Sequence, residues 1–328
     1  MKNLSIIIHG TINHRGTDTL ANLKMTKLVF PYAQYILCTS DTVADDIKRE
    51  VDILISYEDP GSFFSEPDVA GGNNPVLRQC RAIALGLKAA RHDYAIKLRT
   101  DFAIVNDDFI RLWTLSHSFG SELLHFEKPV VVLDLGCNDP TRVHGLFHCS
   151  DFFFFGLKSD LLRYWDIESE LVSITQRSFS LLEKLVNPLS GRYWGLLSCE
   201  QYLMSAFYRR SLKSQYFDFK MRSQFSWRLM RDYEKFLLSN FCIVSERDGI
   251  LLPASLRAIY KEKVHYVPGE IEWIRSNYGN VFFARLLAAY AIRVRNTISQ
   301  FPLACYAVTR AVVRLIVLQK RRLFKWRF

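Results

Sequence analysis

The sequence predicts an α/β protein: a mostly parallel sheet flanked by helices, followed by a helical, basic and amphipathic C-terminal extension. The sheet is predicted because short apolar runs alternate with helical patterns over the first hundred residues, and turn-forming residues separate them. The extension is predicted from charge. No Asp or Glu follows Glu272, whereas ten Lys and Arg residues lie between Arg285 and Arg327.

The N-terminal elements come in the order expected of a parallel sheet. Leu4–Ile8 is a continuous apolar run, as in a strand buried on both faces. A helix, a strand, a second helix and a third strand follow, over Thr19–Phe30, Tyr35–Cys38, Thr42–Glu50 and Val51–Ser56. A turn-rich loop then leads to a helix that Asn73 or Asn74 caps and that ends near Arg91, before a fourth strand over Tyr94–Leu98.

The middle of the chain continues with strands and helices at less regular spacing. The predicted strands are Val130–Leu133 and Phe152–Phe155, and four consecutive Phe residues in the second indicate a strand covered on both faces. The predicted helices are Asp107–Ser118, Leu157–Trp165, Leu171–Val186 and Ser198–Tyr208, and residues 215–252 are mixed. We expect one compact domain over residues 1–275 and a separate extension over 276–328.

Composition excludes several classes of protein. The 328 residues are 49% apolar and 23% charged, which is ordinary for a globular chain and excludes a disordered one. The net charge of +10 is concentrated in the extension, so the remainder is near neutral and a nucleic-acid groove is not expected. The seven Cys residues are scattered without a CxxC motif, and the first apolar run is too short for a secretory signal. A reduced, cytoplasmic location fits these features.

The extension is predicted to form two helical segments, one on either side of Pro302. Arg310 and Arg314 lie inside the apolar part of the second segment, which makes a membrane-spanning helix costly. A basic helix with Leu, Ile, Val, Phe and Trp between its charges instead suits the plane of an anionic membrane surface. The alternative is a terminal helix pair that packs on the domain with its Arg side chains in water.

Polar residues follow three of the predicted strands: Gly10 and Thr11, residues 39–41, and Arg99 to Asp101. Ligands of parallel α/β sheets bind at the carboxyl ends of the strands. No Walker or GxGxxG motif is present, so an ordinary P-loop or dinucleotide protein is not expected. Asp101 fits a divalent cation that bridges two phosphates, and Arg99 fits a phosphate itself. Alternatively, Asp101 is a helix cap or a turn residue.

Several motifs in order resemble one known family. They are IIIHGTI, YILCTSD, EDPG, NNPVLRQCRAIALGLKAARHDYAIKLRTDF, SDFFFFGLKSDLLRYW and CEQYL, which together span about Leu4–Leu203 and leave the tail outside the resemblance. The long block is the most specific of them. The chain resembles the WavE-type lipopolysaccharide synthesis proteins, which look like nucleotide-sugar transferases with the GT-A fold.

The resemblance implies a sugar-nucleotide donor on the first half of the sheet. Asp101 stands where GT-A enzymes carry a metal-binding Asp-x-Asp motif, which implies Mn or Mg as a cofactor. Here Arg99 replaces the first acid, so Arg99 is an alternative source of the positive charge that neutralises the diphosphate. Nucleotide-sugar-binding residues implied in addition are Gly10, Thr11, Thr39, Asp41, Asn74 and Arg78.

Each of these residues has a physical rationale and most have an alternative. Gly10 allows close approach of the backbone to the nucleotide. Thr39 and Asp41 can bond the base or ribose, or else form a turn. Asn74 and Arg78 lie at a helix start, which is a good diphosphate site, although Arg78 is equally compatible with a surface ion pair.

Sugar transfer with inversion also needs a base for the acceptor hydroxyl. The candidates are Glu200, near a helix start after the metal-binding loop, and Asp151, which precedes an apolar strand where a carboxylate is partly desolvated. His148 and His265 are candidates for a late metal ligand, or are ordinary surface residues.

The resemblance implies a glycosyltransferase of the hexosyltransferase type. It would move a sugar from a nucleoside-diphosphate sugar to a lipid-linked or oligosaccharide acceptor of lipopolysaccharide or capsule, at the inner face of the cytoplasmic membrane. Two alternatives stay open. A sugar nucleotidyltransferase usually carries a Gly- and Arg/Lys-rich loop after the first strand. The segment HGTINHRGT resembles such a loop only weakly. A non-enzymatic membrane-associated assembly protein would keep the fold without the chemistry.

Overall fold

The computed structural model describes residues 3–61, 75–116, 124–143, 145–175, 197–212, 225–253, 266 and 270–295. Within these ranges a seven-stranded sheet has the order β3-β2-β1-β4-β7-β6-β8, beside a two-stranded sheet of β5 and β9. The strands are β1 (Leu4–His9), β2 (Gln34–Thr39), β3 (Ile53–Ser56), β4 (Tyr94–Arg99), β5 (Ala103–Ile104), β6 (Val130–Leu133), β7 (Phe154–Leu157), β8 (Phe241–Val244) and β9 (Ile250–Leu251).

The large sheet is mostly parallel, as the sequence predicts. β1 is parallel to β2 and to β4, β2 is parallel to β3, and β6 is parallel to β8. β7 is antiparallel to both of its neighbours, β4 and β6. The carboxyl ends of β1, β2, β3 and β4 therefore meet at one edge, where a parallel sheet places its ligands.

Helices cover both faces of this sheet. They are α1 (Thr19–Val29), α2 (Asp45–Arg49), α3 (Val76–Ala89), α4 (Asp108–Leu115), α5 (Lys158–Trp165), α6 (Glu168–Thr175), α7 (Cys199–Leu212), α8 (Trp227–Asn240) and α9 (270–295). Caps set some of the bounds. Asp18 accepts from the backbone N–H of Ala21 at the start of α1, and Ala44 is extended, so α2 begins three residues later than predicted.

The core forms two layers because strand side chains alternate between faces. Ile7 and Phe154 pack with α3, α5, α7 and α8, whereas Ile6 and Phe155 pack with α1 and α4 on the other face. The Phe run is therefore covered on both faces, as predicted, although the strand itself begins at Phe154. Residues 176–186 of the predicted helix lie outside the described residues.

The C-terminal helix α9 runs without a break through the predicted boundary between residues 275 and 276. Ile271, Ile274 and Tyr278 are buried against the domain. Arg285 forms ion pairs with Asp139 at 2.9 Å and Glu234 at 2.7 Å, both of which are almost fully buried. The described part of the extension is thus packed on the body; residues 296–328 lie outside the described residues, and the division into two domains stays a prediction. Among the described helices, none combines the length and apolarity needed to cross a membrane.

Candidate functional site

A cleft of about 460 Å³ opens at the carboxyl ends of β1, β2 and β4 and at the first turn of α3. Its volume is in the range of small-molecule sites. Its lining combines polar backbone, hydroxyl and cationic groups: His9, Gly10, Thr11, His14, Ser40, Tyr57, Pro75, Arg78, Gln79, Arg99, Thr100 and Asp101. Five of the predicted site residues are therefore brought together: Gly10, Thr11, Arg78, Arg99 and Asp101.

The loops after β1 and β4 are joined to each other. Gly10 has a φ of +123°, and a side chain there would bring its Cβ to 3.1 Å from Thr100 Oγ1, so glycine is required. Thr100 donates its hydroxyl to the carbonyl of Thr11 at 2.6 Å and its backbone N–H to the carbonyl of His9 at 3.0 Å. These bonds fix the backbone of Gly10 and Thr11 at the wall of the cleft.

Arg99 and Asp101 form a bidentate ion pair at the end of β4. The Nε and Nη2 atoms of Arg99 donate to Oδ1 and Oδ2 of Asp101 at 2.8 and 2.7 Å. The guanidinium also lies over the rings of Phe102 and Phe152, with its Cζ 5.1 and 5.4 Å from their centroids. The Arg99 side chain is 16% exposed and that of Asp101 is 1% exposed, so the guanidinium is the more accessible of the two groups.

This arrangement does not fit a preformed metal site. Both carboxylate oxygens of Asp101 accept from Arg99, and no group of three or more His, Cys, Asp or Glu side chains in the described ranges is placed to hold a metal ion. His148 faces Glu200 instead, and His265 lies outside the described residues. A bound Mn or Mg at Asp101 stays a prediction.

Arg78, in the first turn of α3, provides a second cation that lines the cleft. Its Nε donates to Oδ1 of Asp59 at 2.6 Å, and this bond is the main cause that lowers the pKa of Asp59. Both side chains are more than a third exposed, so water screens the pair and a ligand can reach the guanidinium. Arg78 is therefore both the predicted cleft residue and a partner in a surface ion pair. Asn74 lies outside the described residues.

Thr39 and Asp41 form a turn beneath the cleft. Thr39 Oγ1 accepts from the backbone N–H of Asp41 at 3.1 Å, and Asp41 Oδ2 accepts from the backbone N–H of Ile12 at 2.8 Å. Their side chains thereby hold the loops after β2 and β1 together. Ser40 between them, and Tyr57 after β3, line the cleft in their place.

Asp151 lies behind the cleft, 5% exposed, and connects to it through Gln79. Gln79 Nε2 donates to Asp151 Oδ2 at 2.8 Å, and the Cys199 thiol contacts the same oxygen at 3.5 Å. Oδ1 of Asp151 has no hydrogen-bond partner within the described residues. The carboxylate is thus desolvated, as predicted, and one of its oxygens is available.

Glu200 lies in the first turn of α7, next to Cys199. Its Oε2 is 3.6 Å from Nε2 of His148, and both side chains are mostly buried. Nδ1 of His148 is 2.6 Å from the carbonyl of Gly136. A carbonyl only accepts, so Nδ1 carries a proton and Nε2 faces the carboxylate. Because Cys199 contacts Asp151 and precedes Glu200, the two predicted catalytic carboxylates lie near each other, in a corner behind the cleft, and neither is among the residues that line it.

Lys97 connects the middle of β4 to the segment that holds Asp151. Its side chain is fully buried, and its ammonium donates to the backbone carbonyls of Asp151 and Phe152. Burial lowers the pKa of Lys97 from 10.5 to about 7; the charge of Asp151 opposes this shift and that of Arg99 adds to it. The lysine therefore fixes the position of Asp151 from behind.

Seven residues that line the cleft were not among the predicted site residues: His9, His14, Ser40, Tyr57, Pro75, Gln79 and Thr100. His9 ends a run of apolar residues, and Gln79 follows Arg78 at a helix start. The positions of both residues could therefore have identified them as candidates for the site. Ser40 lies inside the polar segment 39–41 that the sequence indicated, whereas Tyr57 lies in a loop whose course depends on strand pairing, which a single sequence does not show.

The fold is that of a GT-A-like α/β protein, and the cleft at its sheet edge carries two arginines, Arg78 and Arg99. The family model for WavE lipopolysaccharide synthesis matches residues 4–306, which is most of the chain. The chain therefore belongs to the WavE lipopolysaccharide synthesis family, as its motifs indicated. The match extends well beyond Leu203 and into the tail, which the motifs had left outside, so that limit was too narrow. No curated protein matches the chain.

Proposed function

We propose that this protein is a glycosyltransferase that moves a sugar from a nucleoside-diphosphate sugar to an acceptor of lipopolysaccharide or capsular polysaccharide. Membership of the family indicates a biosynthetic role in lipopolysaccharide synthesis. The observation that carries the finer proposal is the cleft, in which two arginines and glycine backbone lie next to a corner with two carboxylates.

The cleft divides according to strand order. Ser40 and Tyr57 follow β2 and β3 at one side and suit the base and ribose of the nucleotide. Arg99 and Arg78, with the first turn of α3, suit the diphosphate, because guanidinium groups bind phosphate oxygens in a bidentate manner and helix N-termini favour anions. In this proposal the diphosphate binds the Arg99 guanidinium while both hydrogen bonds from Arg99 to Asp101 remain in place.

Glu200 is the base in this proposal. In an inverting reaction it takes the proton of the acceptor hydroxyl while that oxygen attacks the anomeric carbon. The bond from the anomeric carbon to the phosphate oxygen breaks, and the nucleoside diphosphate leaves with the electron pair. Arg99 and Arg78 stabilise the charge that develops on the leaving group.

A location at the inner face of the cytoplasmic membrane is part of the proposal. Lipid-linked acceptors lie at that surface, and α9 presents apolar side chains to solvent: Phe283, Leu287, Tyr290 and Val294 are 44–67% exposed. The sequence that follows is basic and free of Asp and Glu, which suits an anionic lipid surface.

The direct test is release of nucleoside diphosphate from a panel of UDP-, GDP-, ADP- and dTDP-hexoses, with detergent-solubilised lipopolysaccharide core as the acceptor. We expect one donor to be consumed by the wild type and by Glu50→Gln, a surface control, and consumption to be lost in Glu200→Gln. The same donor at about 100 times its dissociation constant should stabilise the fold by roughly 2.7 kcal/mol.

Two outcomes contradict the proposal. Release of pyrophosphate from a nucleoside triphosphate and a sugar phosphate would identify a nucleotidyltransferase. Neither binding nor turnover of any donor, by a protein that melts cooperatively, would favour a non-enzymatic assembly protein.

A further inference from the structure

Three polar side-chain atoms in and behind the cleft are buried and have no hydrogen-bond partner in the described part of the chain. They are Nε2 of His9, Oε1 of Gln79 and Oδ1 of Asp151. Buried polar atoms are nearly always paired, so each such atom calls for an explanation. His9 and Gln79 line the cleft, which makes a ligand the natural partner of both.

The orientation of Gln79 follows from its partner. A carboxylate oxygen accepts, so the amide nitrogen of Gln79 faces Asp151, at 2.8 Å, and its oxygen Oε1 is left as an acceptor. Asp151 in turn is fixed by Lys97, which donates to its backbone carbonyl. Asp151 is therefore a positioning residue that holds Gln79 in one orientation.

His9 contributes a neutral imidazole. Burial, followed by the charges of Lys97 and Arg99, holds the pKa of His9 well below its usual range. A neutral ring can donate or accept through Nε2, whereas it offers a phosphate no charge.

These groups differ in chemistry from the arginine part of the cleft. An acceptor amide oxygen next to a buried carboxylate repels phosphate and attracts hydroxyl or amino groups. Gln79 also contacts Asp151 and Cys199, and Cys199 directly precedes Glu200. The part of the ligand that fits beside Gln79 and His9 carries several hydrogen-bond donors and lies next to the diphosphate.

We propose that Gln79 and His9 form the subsite for the transferred sugar, and that they bind its hydroxyl or amino groups while Asp151 holds Gln79 in place. The inference rests on the proposed donor, and it assigns the selection of the sugar to two residues. Arg78 and Arg99 bind the diphosphate of any donor, whereas Gln79 and His9 select the sugar.

The experiment compares dissociation constants of free UDP, GDP, ADP and dTDP with those of their hexose conjugates, by isothermal titration calorimetry. The variants are Gln79→Met and His9→Asn. The matched control is Gln34→Met, which changes a buried glutamine that bonds Ser5 and the backbone of Arg91 near the amino ends of β1 and β4. We expect both test variants to lose about tenfold in affinity for the conjugate, with affinity for the free diphosphate unchanged, and the control to keep both.

The results distinguish a failure of the proposed sugar subsite from a failure of the proposed transferase. An unchanged ratio between conjugate and free diphosphate in both variants overturns the sugar subsite and leaves the proposed transferase intact. A wild type that binds none of the diphosphates or conjugates overturns both proposals. If Gln79→Met fails to fold, His9→Asn decides alone, since Asp151 keeps its glutamine partner in that variant.

Discussion

Arg99 occupies both carboxylate oxygens of Asp101, with N–O distances of 2.8 and 2.7 Å. The resemblance to GT-A enzymes predicted a metal ligand at Asp101, but Arg99, two residues earlier in the chain, supplies a fixed cation to this carboxylate. Because Asp101 is buried, removal of Arg99 would leave a carboxylate with neither water nor a partner. The two side chains therefore form one structural unit, and we expect them to act together when a ligand binds.

The pair predicts how donor binding depends on metal. If Asp101 is committed to Arg99, binding of the donor by the wild type should be unchanged in EDTA. In Arg99→Ala the carboxylate is released, so binding should weaken by about 10- to 100-fold and be partly restored by Mn²⁺. Thermal shift and calorimetry with and without Mn²⁺ measure this. Wild-type binding that is lost in EDTA and returns with Mn²⁺ would support a metal at Asp101 instead.

The two carboxylates of the catalytic corner should differ in their kinetic effects. Glu200→Gln removes the proposed base and should lower kcat by about 10²- to 10⁴-fold with little change in the KM of the donor. Asp151→Asn disturbs Gln79 and should mainly raise the KM of the donor. Steady-state kinetics over a range of donor concentrations separates these effects, and a reversal of the two patterns would make Asp151 the base.

The sheet could be predicted from sequence because its strands are short, apolar and bounded by turn formers. The same reasoning did not assign β8, which lies in the weakly patterned residues 215–252 and is placed by its pairing with β6. The strand near Phe154 was predicted two residues early because four Phe residues carry no alternation, and pairing with β4 sets its actual register.

The position of the cleft could be predicted from the sequence. Parallel topology alone brings the residues that follow the strands, among them Gly10 and Arg99, to one edge of the sheet. The contact between Gln79 and Asp151 joins positions 72 residues apart, so no local pattern reveals it. Lys97 is a charged residue within an apolar strand, but its role depends on the segment before β7, which only the folded chain places beside it.

Lys97 predicts a dependence of stability on pH. Its pKa is about 7 in the folded protein and near 10.5 as an ordinary lysine, so between these values the unfolded chain binds a proton that the folded chain does not. The free energy of unfolding should therefore rise with pH in this window, by up to about 1.4 kcal/mol per unit for this group. Lys97→Met should lose that contribution.

Urea unfolding of the wild type and of Lys97→Met at pH 7.0, 7.75 and 8.5 measures this dependence, and the Cys groups that begin to ionise near pH 8.5 in the unfolded chain affect both proteins alike. The relevant quantity is the difference in slope between wild type and Lys97→Met. Equal slopes would show that the buried ammonium does not titrate in this range.

The C-terminal helix predicts which part of the chain contacts lipid. Three of its arginines face the body, whereas Arg295 at its end is exposed: Arg285 pairs with Asp139 and Glu234, and Arg275 and Arg293 are each 8% exposed. The exposed positions from 283 to 294 carry no charged side chain. This stripe should therefore insert into the interface through apolar burial, while the basic sequence after it supplies electrostatic attraction.

Substitution of Phe283 and Leu287 by Asp should abolish sedimentation with liposomes that contain anionic lipid, at low and high salt alike. Deletion of residues 296–328 should weaken binding mainly at low salt, and it leaves the Arg285 ion pairs intact, which a deletion from residue 280 would not. Leu28→Asp is the matched control, because Leu28 is 84% exposed on α1, which packs on the opposite face of the sheet. Retention of full liposome binding by the double variant would show that this face does not contact lipid, and a change in its mass by light scattering would indicate that a second copy covers it instead.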